Sequence, residues 1–231
     1  MPRPQAPRSG QSLRSRALDA RGRLPTRRWR LVPPRRLRLG ADGDFVATGD
    51  EFLSHLVALC GLRPEDRVLD VGCGTGRLAR PLAGFLSIDG AYAGLDANAD
   101  AVAWCARRYR HLPHFRFVHA DVRHARFNPG GAEDAVAYRF PFEDGSFDVA
   151  ALITVLAHLT AEETLHELGQ VRRVLAPGGR LLATGRFAPE REEWLLETLR
   201  AAGLDLVALH PGTWSGHPEG LSDQDVVVAR A

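Results

Sequence analysis

The chain contains no lysine: all thirty basic residues are arginine. Without a lysine amine there is no internal Schiff base, and so no pyridoxal-phosphate chemistry of the usual kind. Without the lysine of GxxxxGK[ST] there is no P-loop phosphate cradle. Arginine used to the exclusion of lysine also points to a GC-rich, bacterial coding genome. Cysteine is scarce too. Cys60, Cys73 and Cys105 form no CxxC pair. This argues against a four-ligand zinc site and a disulfide framework, and fits reduced thiols in the cytoplasm. No run approaches the roughly 18–20 apolar residues of a membrane-spanning helix. What remains is ordinary globular usage, 45% hydrophobic and 25% charged over 231 residues, enough for one domain with a sizeable core plus a tail.

The formal net charge of +2 hides a strong asymmetry. Residues 1–38 hold twelve arginines against one acid, Asp19, whereas the rest holds eighteen arginines against twenty-seven acids. Pro2, Pro4, Pro7 and Pro25 punctuate the basic stretch, which has little hydrophobic periodicity. Residues 1–28 therefore read as a disordered Arg/Pro-rich tail, and 29–231 as the folded domain. Three roles are open to the tail: plain solvation, an arm for nucleic acid or another anionic surface, or a transit peptide with Ser9, Ser12 and Ser15. It has no apolar stretch of the kind a secretory signal needs.

From residue 49 onward, helical and strand patterns alternate. Phe52, Leu53, Leu56, Val57 and Cys60 fall on one helical face, predicting a helix over 49–62. RVLDVGCGTG (67–76) reads as a strand running into a glycine turn, with a helix over 77–86. Further strands are expected at 90–98, 115–122, from 146, at 176–187, 204–210 and 224–231, with helices at 99–112, 160–175 and 189–203. Thr160 and Glu163 form a capping box. The stretch 123–145 reads as a long irregular connection. Such alternation predicts an α/β, doubly wound, mostly parallel sheet covered on both faces, with an antiparallel pair at one edge.

In such a sheet ligands bind beyond the carboxyl ends of the strands. Asp70 to Gly76, Asp96, Asp121 and Thr154 fall there. Gly72, Gly74 and Gly76 let the backbone bend tightly and present bare N–H groups to a ligand, aided by the start of a helix. A dinucleotide loop would need its third glycine at Arg77, which argues against NAD or FAD. Asp96 lies twenty residues past Gly76 and suits a ribose diol. Asp121 suits an adenine amino group, with the Val122 N–H facing the ring.

VLDVGCGTG, GLDAN, HADV, FPFEDGSFDVAALITVLAHL and VRRVLAPGGRLLAT occur in this order. Together they resemble the class I S-adenosylmethionine-dependent methyltransferases over about residues 45–231. The resemblance implies a Rossmann-like seven-stranded sheet with a terminal antiparallel strand, and S-adenosyl-L-methionine as cofactor. It implies cofactor contacts from Gly72, Cys73, Gly74 and Gly76 (methionine moiety), Asp96 with Ala97 (ribose), and Asp121 with Val122 (adenine). Ile153, Thr154 and Val155 would lie beside the transferable methyl, and Asp70 would support the loop. A narrower resemblance is to a bacterial branch containing sugar O-methyltransferases, such as those acting on fucose of rhizobial Nod factors. It is carried by RLVPPRRL (30–37), GDF (43–45), FNPGG (127–131), YRFPF (138–142) and GTWSG…QDVVVA. It implies that residues 30–45 cap the cofactor. That branch carries a longer segment after the fifth strand; here TGRFAPERE (184–192) crosses directly, which would open the acceptor pocket or remove part of it.

The sulfonium makes its methyl electrophilic, so the implied protein role is chiefly alignment. A hydroxyl acceptor must also lose a proton; the candidate bases are His158, with His119 and Asp148 behind it. His111, His114 and His124 show no metal-ligand spacing. Three functions follow: methyl transfer to a small-molecule or glycan hydroxyl, a nucleic-acid-associated methyltransferase using the basic arm, or an idle cofactor binder. Amino-methylating DNA enzymes usually show [DN]PP[YFW] after the fourth strand, where this chain reads ALITVLAHL.

Overall fold

The computed structural model describes residues 31–34, 37, 44–187, 189–212 and 224–231. The readings of residues 1–28, of most of 30–43 and of GTWSG lie outside the described residues.

Helix α1 (Phe45–Cys60) starts four residues before the apolar pattern does, because the Asp44 side chain accepts the N–H groups of Val46 and Ala47. Gly61, at φ 66°, ends it. Strand β1 (Arg67–Val71) leads through the glycine loop into α2 (Ala79–Leu82). The helix expected over 77–86 is thus a single turn. Pro81 has no N–H to extend it, and Gly84 and Phe85 fall into tighter turns onto Pro81 and Leu82. Next come β2 (Ala91–Asp96), α3 (Ala99–Tyr109, capped by Asn98) and β3 (Phe115–His119). The connection after β3 is irregular, as expected, pinned by isolated bridges Val122–Glu133 and His124–Asn128. Then follow β4 (Phe147–Leu152), a short 3₁₀ turn (Leu156–His158), α4 (Ala161–Val174), β5 (Leu175–Gly185), α5 (Pro189–Ala201), β6 (Asp205–His210) and β7 (Asp225–Arg230). The capping box forms: Thr160 accepts from the Glu163 N–H, and Glu163 accepts from the Thr160 N–H.

The seven strands run in the order β3-β2-β1-β4-β5-β7-β6. β7 alone is antiparallel, inserted between β5 and β6. Alternate residues of the central strands feed two cores. Leu69, Val71, Ala150, Leu152, Leu181 and Ala183 pack with α4 and α5, whereas Val68, Val149, Ala151 and Leu182 pack with α1, α2 and α3. This is the two-sided burial that the near-continuous apolar strands foretell. Chain order reverses between β1 and β4, so their carboxyl ends flank a cleft. Their amino ends are clamped by Arg67, which donates to both oxygens of Asp148 at 2.8 and 3.0 Å. Among the described residues no helix is long and apolar enough to cross a membrane.

Candidate active site

A cavity opens at that reversal, lined by Asp70 through Thr75, Asp96, Ala97, Val122, Ile153 to Val155 and His158, among others. Most residues singled out from the sequence therefore converge. Leu37 and Phe45 also line it, so the segment before α1 does reach the cavity. Four residues fall elsewhere. Gly76 sits under the loop, where a Cβ would lie 3.2 Å from both Cys105 Sγ and Tyr109 Oη; its φ of 80° and its smallness let α3 pack close. Asp121 is exposed, and its carboxylate accepts from Asn128 Nδ2 at 3.0 Å, off the cavity lining. His119 donates through Nε2 to the Ala97 carbonyl at 3.1 Å. Asp148 lies at the opposite end of the sheet in its clamp, where Arg67 holds its carboxyl below the usual range.

The glycine loop differs from expectation in one respect. Its N–H groups are not bare. Those of Gly72 and Cys73 both donate to the Leu95 carbonyl, at 2.8 and 3.1 Å, that of Gly76 to Cys73 at 3.0 Å, and that of Gly74 to Asp96 Oδ2 at 2.6 Å. The loop folds onto the end of β2 and satisfies its own donors there, and α2 is too short to add much of a dipole. What the loop offers instead is space: a Cβ built on Gly74 would meet nothing within 4 Å. Asp96 completes the rim. Its other oxygen accepts the Asn98 N–H at 2.7 Å, and burial raises its carboxyl against the pull of the two N–H donors. Each oxygen keeps a lone pair for a ligand diol. An open cradle beside such an acid fits a nucleoside with an amino-acid arm.

Beneath the loop, Asp70 is buried and accepts the Tyr92 hydroxyl at 2.7 Å. Burial pushes its carboxyl up to about 7, opposed by Tyr92 and by Arg77, which itself lines the cavity. At the end of β4, Thr154 holds a left-handed backbone, φ 69°, a strained state for a β-branched residue. Its N–H donates to Thr184 Oγ1 at 2.8 Å, and both threonine hydroxyls donate to Gln224 Oε1. That network fixes the turn from which His158 follows. His158 is exposed at the rim, its ring 5.6 Å from that of Phe127, and burial, then His124 and Arg126, lower its pKa.

The outer half of the cavity comes from residues to which the sequence assigned no site role: Arg123, His124, Phe127 and Tyr138 from the irregular connection, and Glu163 and Glu167 from α4. They supply a wall despite the direct crossing from β5 to α5. One signal was available. Glu163 and Glu167 lie four apart, beside the apolar stripe of Thr164, Leu168 and Val171, on the helix that follows the fourth strand.

Sheet order, loop and rim acid together define a class I S-adenosylmethionine-dependent methyltransferase domain, whose cofactor is S-adenosylmethionine. Residues 68–179 match the family described as "Methyltransferase domain". The chain is similar to the EEF1A lysine methyltransferase 4 of Bos taurus, 33% identical over 134 residues (55% of this chain, 49% of the relative). It is similar also to the fatty-acid O-methyltransferase of Mycolicibacterium smegmatis, 36% identical over 118 residues (51% and 36%). It spans less than half the length of the curated relatives it matches. Among solved structures, a TehB-like S-adenosylmethionine-dependent methyltransferase from Corynebacterium glutamicum shares the fold, at TM-score 0.57, 18% identity, and coverage of 94% of this chain and 98% of that one.

Proposed function

We propose that the protein is an S-adenosylmethionine-dependent methyltransferase acting on a hydroxyl oxygen of a small molecule or glycan, as one domain over residues 29–231 in a bacterial cytoplasm. The observation that carries the reading is the bond from the Gly74 N–H to Asp96 at the edge of the cleft between β1 and β4. It joins an unobstructed backbone cradle to a carboxylate suited to a ribose diol.

Bound there, the cofactor supplies an electrophilic methyl on sulfur. Asp96 binds the diol, Gly74 admits the amino-acid arm while Gly72 lets Val155 pack against the loop, and Val122 and Ala97 flank the base and sugar. Leu37 and Phe45 exclude water, and Thr154 and Val155 face the methyl side. The relatives' names differ in acceptor, so the acceptor reading rests on the cavity's outer half, where Arg123, His124, Phe127, Tyr138, Glu163 and Glu167 wall a pocket beyond the cofactor cradle. Calorimetry with S-adenosylhomocysteine tests the first part: a one-to-one exothermic isotherm is expected, and no heat with folded protein overturns it. Tritiated-methyl transfer to a panel of alcohols tests the second; binding without turnover on every acceptor class would mark an idle cofactor binder.

A further inference from the structure

The outer half of the cavity presents two carboxylates, and they are not equivalent. Glu163 is committed: its Oε2 takes the Thr160 N–H at 2.7 Å in the capping box. Glu167, one turn later, lines the cavity, yet among the described residues no hydrogen bond or ion pair holds its carboxylate. Its helical neighbour His166 is turned away, Nε2 meeting the Tyr138 carbonyl at 2.8 Å. The Tyr138 ring is buried close enough for Glu167 and Glu133 to raise its hydroxyl further, after burial itself. The other charged or titratable groups on this side are Glu163 on the same helix, Arg123 on the irregular connection, whose Nε donates to the Gly131 carbonyl at 3.2 Å, and His158 and His124 at the rim. A half-buried carboxylate without a partner is costly, and cavities retain one where a ligand supplies the missing donor.

We propose that Glu167 is the catalytic residue that accepts the acceptor's proton, and that the acceptor is therefore a hydrogen-bond-donating hydroxyl or amine and not a carboxylate. The proposal rests on the methyltransferase reading above. The acceptor atom forms its bond to the methyl carbon with a lone pair. The sulfur keeps the pair of the broken S–C bond, leaving S-adenosylhomocysteine. The acceptor's proton passes to Glu167, which returns it to water. Burial, followed by the Glu163 charge, lifts the Glu167 carboxyl to about 7, close to the pH at which a general base is most effective. An anionic acceptor would meet the charges of both Glu163 and Glu167 at short range. His158, more exposed and packed against Phe127, is left to shape the rim.

The test uses two cofactor analogues on the full chain: S-adenosylhomocysteine, and sinefungin, which carries an amine where the transferable methyl stands. In the wild type, sinefungin should bind at least about tenfold more tightly than S-adenosylhomocysteine at pH 8, and the preference should fade as pH drops through 7 and Glu167 takes up its proton. In Glu167→Gln, S-adenosylhomocysteine should bind as before while the amine preference is lost at every pH. Glu163→Gln should keep most of it. If S-adenosylhomocysteine binds both proteins and the ratio is the same in Glu167→Gln, this inference is overturned and the methyltransferase reading stands. If the wild type binds neither analogue, both fall. Should Glu167→Gln not fold, the wild-type pH profile alone decides: a flat ratio between pH 5.5 and 8 overturns the proposal.

Discussion

At the scale of single residues, Asp96 and the glycines have separable duties. Asp96 spends one bond on Gly74 and one on Asn98, and its burial is a cost that the bound ligand offsets. Asp96→Ala should therefore leave thermal stability nearly unchanged while weakening S-adenosylhomocysteine by at least about a hundredfold, the loss of roughly two charge-assisted bonds at about 1.5–3 kcal/mol each. Calorimetry beside a melting curve checks both halves. The glycines divide differently. Gly74→Ala meets open space, so the fold should persist at a cost of about 1 kcal/mol for its positive φ, with cofactor affinity sharply reduced. Gly76→Ala drives a methyl against Cys105 and Tyr109 and should cost about 2–3 kcal/mol of stability. Equal melting temperatures for the two variants would contradict this division. Sequence spacing alone located both glycines and Asp96. It did not separate cradle from packing, because only the position of α3 shows that Gly76 faces Cys105 and Tyr109 and not the cavity.

Among the elements, α1 and α2 are joined by a buried cation. Arg80, 2% exposed, donates through Nη2 to the Val46 carbonyl at 2.7 Å and to Asp50 at 2.6 Å. A Cβ at Gly49 would also collide with the Arg77 carbonyl, so α1 crosses the end of the loop at its one bare position. Arg80→Ala should cost roughly 3 kcal/mol, with several degrees of lost melting temperature. Asp50→Ala should cost at least about 1 kcal/mol less in that background than in the wild type; additive losses in the double-mutant cycle would refute the coupling. The strand and helix order was legible because period-2 and period-3.6 patterns are local, and the capping box because its two residues lie three apart. Helix ends were less so. The α1 start depends on one Asx cap, and α2 stops where Pro81 and Gly84 tighten the chain, a cost invisible to an apolar count. The outer cavity wall was illegible for a different reason. Phe127 and Tyr138 sit on an irregular connection with no period, and they come to line one cavity with α4 only through tertiary packing.

For the whole molecule, stability and pH are linked through the cavity. The Glu167 carboxyl rises from 4.5 to about 7 on folding, so the folded state holds its proton more tightly. Between those values stability falls as pH rises, and above about 7 the full penalty is present. Asp70, also lifted to about 7, acts in the same direction; His55, lowered to about 4 chiefly by burial, acts in the opposite one below 6.5. The difference between Glu167→Gln and wild type isolates one group. It should be near zero at pH 4.5 and reach up to about 2 kcal/mol in favour of the variant at pH 8, allowing for water at the cavity mouth. Denaturant midpoints across that range measure it, and a difference independent of pH would exclude the shift. The last strand of the chain is also an inner strand of the sheet. β7, residues 225–230, pairs with both β5 and β6, and the strand pairs Leu181–Ala229 and Ala183–Val227 lie inside a core. A nascent chain still short of those residues at the ribosome holds two unsatisfied edges and an incomplete core. The sheet therefore closes only after synthesis has passed residue 230, and until then the growing chain exposes strand edges of the kind that pair between molecules.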